Sequence, residues 1–221
     1  MKQNVPPTLF FSRNPNPRLA LATARHLQAP VEYEWAAPFD PAQSDKLRPL
    51  NPSLRIPILV ENGRSLREAD AIACRLSMMV KSHFWRMDDD MPEMIRWISW
   101  GKGNFVHACD IVSFEFGTKQ RYGIGPVDLN EAAKGERLFH ETAAQLNAHL
   151  LGRDFLLGSG LSYADFRMAT FLPFNDVTCL PLAEYPNIDS WYQRLMAIPA
   201  WSDPFEGLDA PALPYAPPRG G

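Results

Sequence analysis

The chain has 221 residues, 46% of them hydrophobic and 21% charged, a composition that buries a sizeable core in one large domain or two small ones. A formal net charge of −3 and the lack of a dense Lys/Arg patch argue against nucleic acid as a partner. No window is long and apolar enough to span a bilayer, the N-terminal Met1–Val5 does not open a signal peptide, and three widely spaced cysteines, Cys74, Cys109 and Cys179, read as small buried hydrophobes in a reducing, cytoplasmic setting rather than as a disulfide framework.

In chain order, Leu9-Phe10-Phe11 is a short apolar run that ends in Ser12-Arg13-Asn14-Pro15-Asn16-Pro17, a strand followed by a turn. A helix is expected from near Pro17, because proline suits a first helical turn, through Leu19, Ala20, Ala22 and Leu27. Val31 to Trp35 alternates as a second strand, and Asp40 to Leu50, broken by Pro41 and Pro49, reads as loop with a short helix. Ile56-Pro57-Ile58-Leu59-Val60 is a buried strand, and Asn62-Gly63 is a hairpin turn into a short strand at Arg64 to Leu66. A helix starting near Glu68 carries Ile72, Cys74, Leu76 and Met79. The order is β-α-β-α-β-β-α.

Beyond the charged stretch Lys81–Asp90 the strand signals stop. Helices are expected over Glu93–Phe116, over Leu129–Leu150 with apolar positions Leu129, Ala133, Leu138, Thr142, Leu146 and Leu150, over Ser162–Thr178 with a disturbance at Pro173, and over Pro186–Ile198. Ser162 and Asp165 have capping-box spacing. The predicted organisation is an α/β domain at 1–80, a linker at 81–90, an all-helical domain at 91–205 and a poorly ordered tail at 206–221, whose Pro211–Gly221 stretch is rich in Pro, Ala and Gly.

Four places can carry chemistry. The turn after the first strand has hydrogen-bonding side chains, Ser12, Asn14 and Asn16, but no Cys-x-x-Cys, which argues against dithiol exchange by the protein itself. The same residues serve equally well as turn and cap formers. Pro57 at the start of a buried strand cannot donate to the ladder, and a cis Ile56–Pro57 bond would turn the Ile56 backbone outward toward a peptide-like ligand. The helix opening at Glu68-Ala69-Asp70 offers amide groups to a carboxylate, while Glu68 is suited to an ammonium group; an acidic first turn is also ordinary for any helix. Ser162 and Asp165 read as structural. Five histidines, His26, His83, His107, His140 and His149, show no metal-ligand spacing, and no metal is expected.

Read together, these segments resemble the glutathione S-transferase (GST) superfamily over nearly the whole chain. Asn51-Pro52 through Arg55-Ile56-Pro57-Ile58-Leu59 is similar to the family's cis-proline segment. Leu66 through Glu68-Ala69-Asp70-Ala71-Ile72 is similar to its Glu-Ser-x-Ala-Ile helix start, and Leu161-Ser162-Tyr163-Ala164-Asp165 to its capped core helix. Tyr185-Pro186-Asn187-Ile188 with Trp191 resembles a stretch near its C-terminus. The resemblance implies a thioredoxin-like N-terminal domain with an all-α C-terminal domain, and glutathione as co-substrate. It implies that the Ile56 backbone beside Pro57 pairs with the cysteinyl unit, that Glu68 and the Ala69 amide hold the γ-glutamyl end, and that Arg55 reaches the glycyl carboxylate.

It further implies a homodimer with a detoxification-type activity on a small electrophile or disulfide, the second substrate bordered by Trp100, Phe105, His107 and Phe114. Two departures stand out. Ala69 takes the place of the usual Ser, and a lost hydrogen bond to a charged group of about 1.5–3 kcal/mol weakens affinity by one to two orders of magnitude. No Tyr or Cys is placed to activate the thiol. Pro15-Asn16-Pro17-Arg18 is similar to the Pro-Asn-Gly turn of the Nu/Ure2-like groups, which ranks Asn16 first, Asn14 second and Ser12 third as thiol-activating residues and favours disulfide reduction over conjugation. The competing expectation is a transferase-shaped binding or regulatory protein without catalysis.

Overall fold

The structure, a computed structural model, describes residues 6–37 and 40–219; the leader reading of Met1–Val5 and the last two residues of the expected tail lie outside the described residues. The described chain forms two compact units, residues 6–85 with 199–212 and residues 86–198 with 213–219.

In the first unit β1 (Thr8–Phe11), α1 (Pro15–His26), β2 (Glu32–Trp35), α2 (Ser44–Leu47), β3 (Ile58–Glu61), β4 (Arg64–Arg67) and α3 (Ala69–Val80) follow the expected order. Parallel neighbours need a long crossover, and α1 supplies it between β1 and β2. The sheet order is β2-β1-β3-β4, with β3 antiparallel to both β1 and β4. Asn62 and Gly63 both have positive φ, 51° and 75°, the geometry of a type I′ hairpin.

Alternation along the strands sends Phe10, Ile56 and Ile58 to one cluster with Ala36 and Leu47, and Phe11 to another with Leu21 and Phe205. Phe205 belongs to the segment 199–212, which includes α11 (Pro199–Ser202). The sequence boundaries assign residues 199–205 to the helical domain and 206–212 to a loose tail. Their packing is explained by side chains whose partners are distant in sequence. Arg13 donates to the Ala210 carbonyl at 3.0 Å and stacks over Phe205, and Arg18 donates to the Trp201 carbonyl and lies 4.8 Å over its ring.

The second unit is helical among its described residues: α4 (Met91–Gly103), α5 (Phe105–Ser113), α6 (Lys119–Tyr122), α7 (Leu129–His149), α8 (Tyr163–Met168), α9 (Asn175–Thr178) and α10 (Pro186–Met196). The expected single helix over Glu93–Phe116 is broken at Asn104, where φ is −133° and ψ −105°, and the Asn104 side-chain NH2 donates back to the Trp100 carbonyl at 2.8 Å. Phe105 and Trp100 pack inside the helical unit, against Phe139 and Trp97. The expected helix over Ser162–Thr178 ends at Met168, and a tighter turn at Leu172–Phe174, with Pro173 in it, precedes α9.

The buried face of α7 is Ala132, Gly135, Phe139, Thr142, Ala143 and Leu146, so Leu129, 71% exposed, is not a core residue. Gly135 fixes that face: a Cβ there would come within 2.9 Å of the Ile111 and Val112 methyls of α5. Of the cysteines, Cys109 is buried, Cys74 half-buried and Cys179 exposed.

The capping box at α8 forms as its spacing predicts, and Asp165 does more than cap. Fully buried, it accepts from the Leu156 amide at 2.8 Å, the Ser162 amide at 2.9 Å, the Ser162 hydroxyl at 3.2 Å and the Trp191 indole at 3.0 Å. Burial pushes its carboxyl above the ordinary value while these donors pull the other way. The Arg86 guanidinium ties down the preceding loop through the Ser159 hydroxyl and the Gly160 and Leu161 carbonyls. Asp165→Ala orphans several buried donors at once, at about 1–3 kcal/mol each. The expected loss is about 3–5 kcal/mol in urea unfolding, against about 1–2 for Trp191→Phe judged by its hydrogen bond alone. A loss below about 1 kcal/mol in Asp165→Ala would show that these bonds do not anchor the unit.

Candidate functional site

The ladder register brings the sequence candidates of the first unit to one end of the sheet. Phe10 pairs with Ile58, and Ile58 pairs with Arg67. Both ladders end at Ile58, so the chain after Phe11, the chain before Ile58 and the chain after Arg67 all leave the sheet at the same end. Neighbouring strands lie about 4.8 Å apart, so the turn after β1, the approach to β3 and the start of α3 form one rim. The Ile56–Pro57 bond is cis, and the β3–β4 ladder starts only at Ile58.

On the first segment of the rim, Ser12 is buried and its hydroxyl oxygen accepts from both the backbone amide and the side-chain amide of Asn14, each at 3.3 Å. A hydroxyl that accepts twice still carries a proton to donate. Asn14 is the N-cap of α1, and the Arg18 amide donates to its carbonyl at 2.9 Å to close the first turn. The helix thus begins at Pro15, two residues earlier than the sequence suggests, since a second proline in the first turn costs no intrahelical bond. Asn16 is therefore an exposed residue of the first helical turn and not of the preceding loop.

On the third segment Glu68 is exposed and precedes α3 with φ 71° and ψ 125°. A non-glycine residue held there costs about 1–3 kcal/mol, and such conformations cluster at ligand sites. The Ile72 amide donates to the Glu68 carbonyl at 3.0 Å, which makes Ala69, itself buried, the first helical residue. The first amides of a helix lack intrahelical acceptors and carry the positive end of its dipole, which suits a carboxylate.

The middle segment depends on a residue that the sequence reading names only within a motif. Asn51 is buried. Its side-chain NH2 donates to the Arg55 carbonyl at 2.7 Å, and its oxygen accepts from the Ser53 amide at 3.2 Å, the Ser53 hydroxyl at 2.9 Å and the Arg67 guanidinium at 3.2 Å. It clamps the loop one residue ahead of Ile56 and ties it to the end of β4. A buried Asn directly before proline, in a loop that must present a backbone, is the signal that could have singled it out. Arg55 itself is exposed, its guanidinium outside this clamp.

The arrangement can hold a small peptide-like molecule with a carboxylate and an ammonium group, and can offer hydroxyl and amide donors to a nucleophile bound between them. Two of the protein's own thiols are poorly suited as that nucleophile: burial raises the Cys109 and Cys74 thiols above their ordinary value. Among the described residues no group of three or more His, Cys, Asp or Glu is placed to hold a metal ion, and no helix is long and apolar enough to cross a membrane.

Residues 130–194 match the family model of the glutathione S-transferase C-terminal domain. Among solved structures, glutathione transferase F7 from Populus trichocarpa superposes with a TM-score of 0.81 at 18% identity, covering 92% of this chain and 99% of that one. FzlA from C. crescentus does so at 0.78 and 23% identity, covering 94% and 96%. A glutathione transferase family member from Pseudomonas fluorescens, solved with two glutathione bound, does so at 0.77 and 16% identity, covering 93% and 95%. The fold is that of these proteins: a thioredoxin-like α/β unit and an all-helical unit.

Asn51→Ala removes the clamp. The expected effects are a loss of about 1–3 kcal/mol in stability and faster amide hydrogen exchange confined to residues 53–56 and 67–69. Unchanged exchange there would show that the rim does not depend on Asn51.

Proposed function

We propose that this chain, of the glutathione S-transferase superfamily by its fold and its C-terminal domain, is a glutathione-dependent transferase that activates the glutathione thiolate for attack on a small electrophile or a disulfide. The observation that supports the reading is the pairing of β1, β3 and β4, in which the ends of β1 and β4 both meet the start of β3 at Ile58, so that the segments carrying Ser12, Ile56 and Ala69 leave the sheet at one end. In this reading the γ-glutamyl carboxylate lies on the first amides of α3, at the positive end of the helix. Glu68 accepts from the γ-glutamyl ammonium group. The Ile56 backbone, beside Pro57, pairs with the cysteinyl unit as an extra strand would, and Arg55 reaches the glycyl carboxylate.

The sulfur then faces the turn after β1. A free thiol of pKa about 8.5 is mostly protonated at neutral pH, and donors aimed at the sulfur favour its thiolate. Asn16 is assigned the leading part, with Asn14 and the Ser12 hydroxyl, already linked to one another, as the supporting donors. The thiolate attacks the electrophilic atom, or one sulfur of a disulfide, and the group displaced departs. A homodimer is part of the same proposal.

Two features favour a second reading, a binding or regulatory protein of the same shape without catalysis: no Tyr or Cys stands in the turn after β1, and position 69 is Ala, which offers a carboxylate its amide but no hydroxyl. Calorimetric titration with glutathione, beside assays of conjugation and disulfide reduction, decides between them. Micromolar to low-millimolar binding with turnover that falls in Asn16→Ala supports the enzyme and that assignment. Turnover unchanged in the variant keeps the enzyme and discards Asn16. No heat at several millimolar glutathione together with no turnover leaves the binding protein.

Ala69→Ser restores a hydroxyl at the helix start. It should tighten glutathione binding about tenfold or more, the worth of one hydrogen bond to a charged group. Unchanged affinity in a variant of unchanged stability would place the γ-glutamyl carboxylate elsewhere.

A further inference from the structure

The turn after β1 is held from one side by a segment nearly two hundred residues later in the chain. Phe11 and Arg13 both meet Phe205: the two phenyl rings are centred 6.3 Å apart, and the Arg13 guanidinium lies 4.2 Å over the Phe205 ring. The same guanidinium donates through Nε to the Ala210 carbonyl at 3.0 Å. Ser12 and Asn14 bond instead to each other. Successive side chains of an extended backbone point to opposite sides, and the alternation runs past the end of β1 to Asn14, whose backbone is still extended. Positions 11 and 13 face the segment 199–212, while positions 12 and 14 carry donors assigned to the thiol.

The support continues into α1. The Arg18 amide closes the first helical turn on the Asn14 carbonyl, and its guanidinium donates to the Trp201 carbonyl and lies 4.8 Å over the Trp201 ring. Arg13 and Arg18 thus bracket Asn14 and Asn16, and both are tied to one segment of the same compact unit. That segment is firmly seated. Trp201 is fully buried and Phe205 nearly so, and Leu208 and Ala210 pack on the cluster of Phe11 and Leu21.

We propose, on the glutathione reading given above, that Arg13 is a positioning residue for thiol activation: it transmits the fixed placement of residues 199–212 to the turn between Ser12 and Asn14, so that their donors stay aimed at the sulfur. Its planar guanidinium donates at its edge and stacks by its face at once, which fixes the turn in two directions. Aim matters because a hydrogen bond weakens steeply as it bends. A turn free to drift loses its hold on the thiolate, while the grip on the rest of the bound molecule, assigned to Ile56 and the start of α3, is left as it was. Arg13 itself touches no substrate in this assignment.

The test compares the full-length parent with Arg13→Ala, Arg13→Lys and Phe205→Leu, at a temperature where circular dichroism shows each variant folded. The readouts are hydrogen exchange at the Asn14 amide, KM for glutathione, and the pH profile of kcat, which reports groups ionising in the complex. In Arg13→Ala exchange at Asn14 should quicken, and the midpoint of the kcat profile should rise toward the roughly 8.5 of a free thiol. Turnover at pH 7 should fall about three- to tenfold with KM changed less than about twofold. Phe205→Leu keeps the Arg13 charge and withdraws its support, so its midpoint should rise as well. Arg13→Lys, which retains a donor and a cation over the ring, should recover part of the loss. An unchanged midpoint or unchanged exchange in Arg13→Ala, beside an active parent, would overturn the positioning role alone. So would a midpoint that moves in Arg13→Ala and not in Phe205→Leu, since the effect would then belong to the charge of Arg13. A parent with no glutathione turnover would remove the glutathione reading itself, and this role with it.

Discussion

Because β3 runs antiparallel to both of its neighbours, Phe10 of β1 and Arg67 of β4 both lie level with Ile58. Everything that follows β1, precedes β3 and follows β4 must then leave the sheet at the same end. Had either pairing been parallel, the turn carrying Ser12 or the start of α3 would have left from the opposite end. The topology thus gathers three unrelated segments without any side chain selecting the place. What side chains add is rigidity. Asn51 fastens the Arg55 carbonyl and the Arg67 guanidinium to one buried amide, and Ser12 and Asn14 fasten the turn ahead of α1. A site on a rim made of loops is only as well defined as the bonds that hold the loops; at Asn51 those bonds come from a residue not assigned to touch a ligand, and at Ser12 and Asn14 they come from the proposed donors themselves.

The helical unit meets a different constraint, close approach. Gly135 lets α5 and α7 come nearer than any side chain would permit, and that contact decides which face of α7 turns inward. A second anchor of this unit is the Asp165 carboxylate, which accepts from the Leu156 and Ser162 amides and the Trp191 indole. These neutral donors compensate its burial. This is a polar centre that works only when complete, since each bond removed leaves a group with no access to water.

Most of the first unit was legible because its signals are local. Asn62-Gly63 can form only a few turns, Pro57 cannot sit in the middle of a ladder, and the apolar runs are short and bounded. The rim was legible in part: the segments could be named, but their meeting depends on strand order, which no local signal carries. The errors share a cause of the same kind. A strict helical repeat nominated Leu129 and Ala133, while the real face was set by what a neighbouring helix could approach at Gly135. Pro17 drew the start of α1 too late because two prolines fit one first turn. Residues 199–212 read as helix end and tail because their composition is plain, and their place is held by Arg13 and Arg18, some 180 or more residues earlier in sequence.

In the proposed reading the two departures from the family pattern would act on different quantities. In the proposed reading a hydroxyl missing at Ala69 would weaken the hold on the far end of the bound molecule, and would do so equally before and during reaction. Interactions of that uniform kind change the concentration at which a site fills and leave the chemical step alone. A donor at the sulfur is different, because its bond strengthens as charge gathers there. Replacing a Tyr, Ser or Cys by the amides of Asn14 and Asn16 would thus be felt in the rate, through the fraction of thiolate and the energy of its attack. Amide donors are neutral and do not ionise, so an active site built on them keeps its donor strength across the pH range in which a phenol or a thiol would lose its own proton. The pH dependence that remains is that of the bound thiol, whose ionisation then sets the rate by itself.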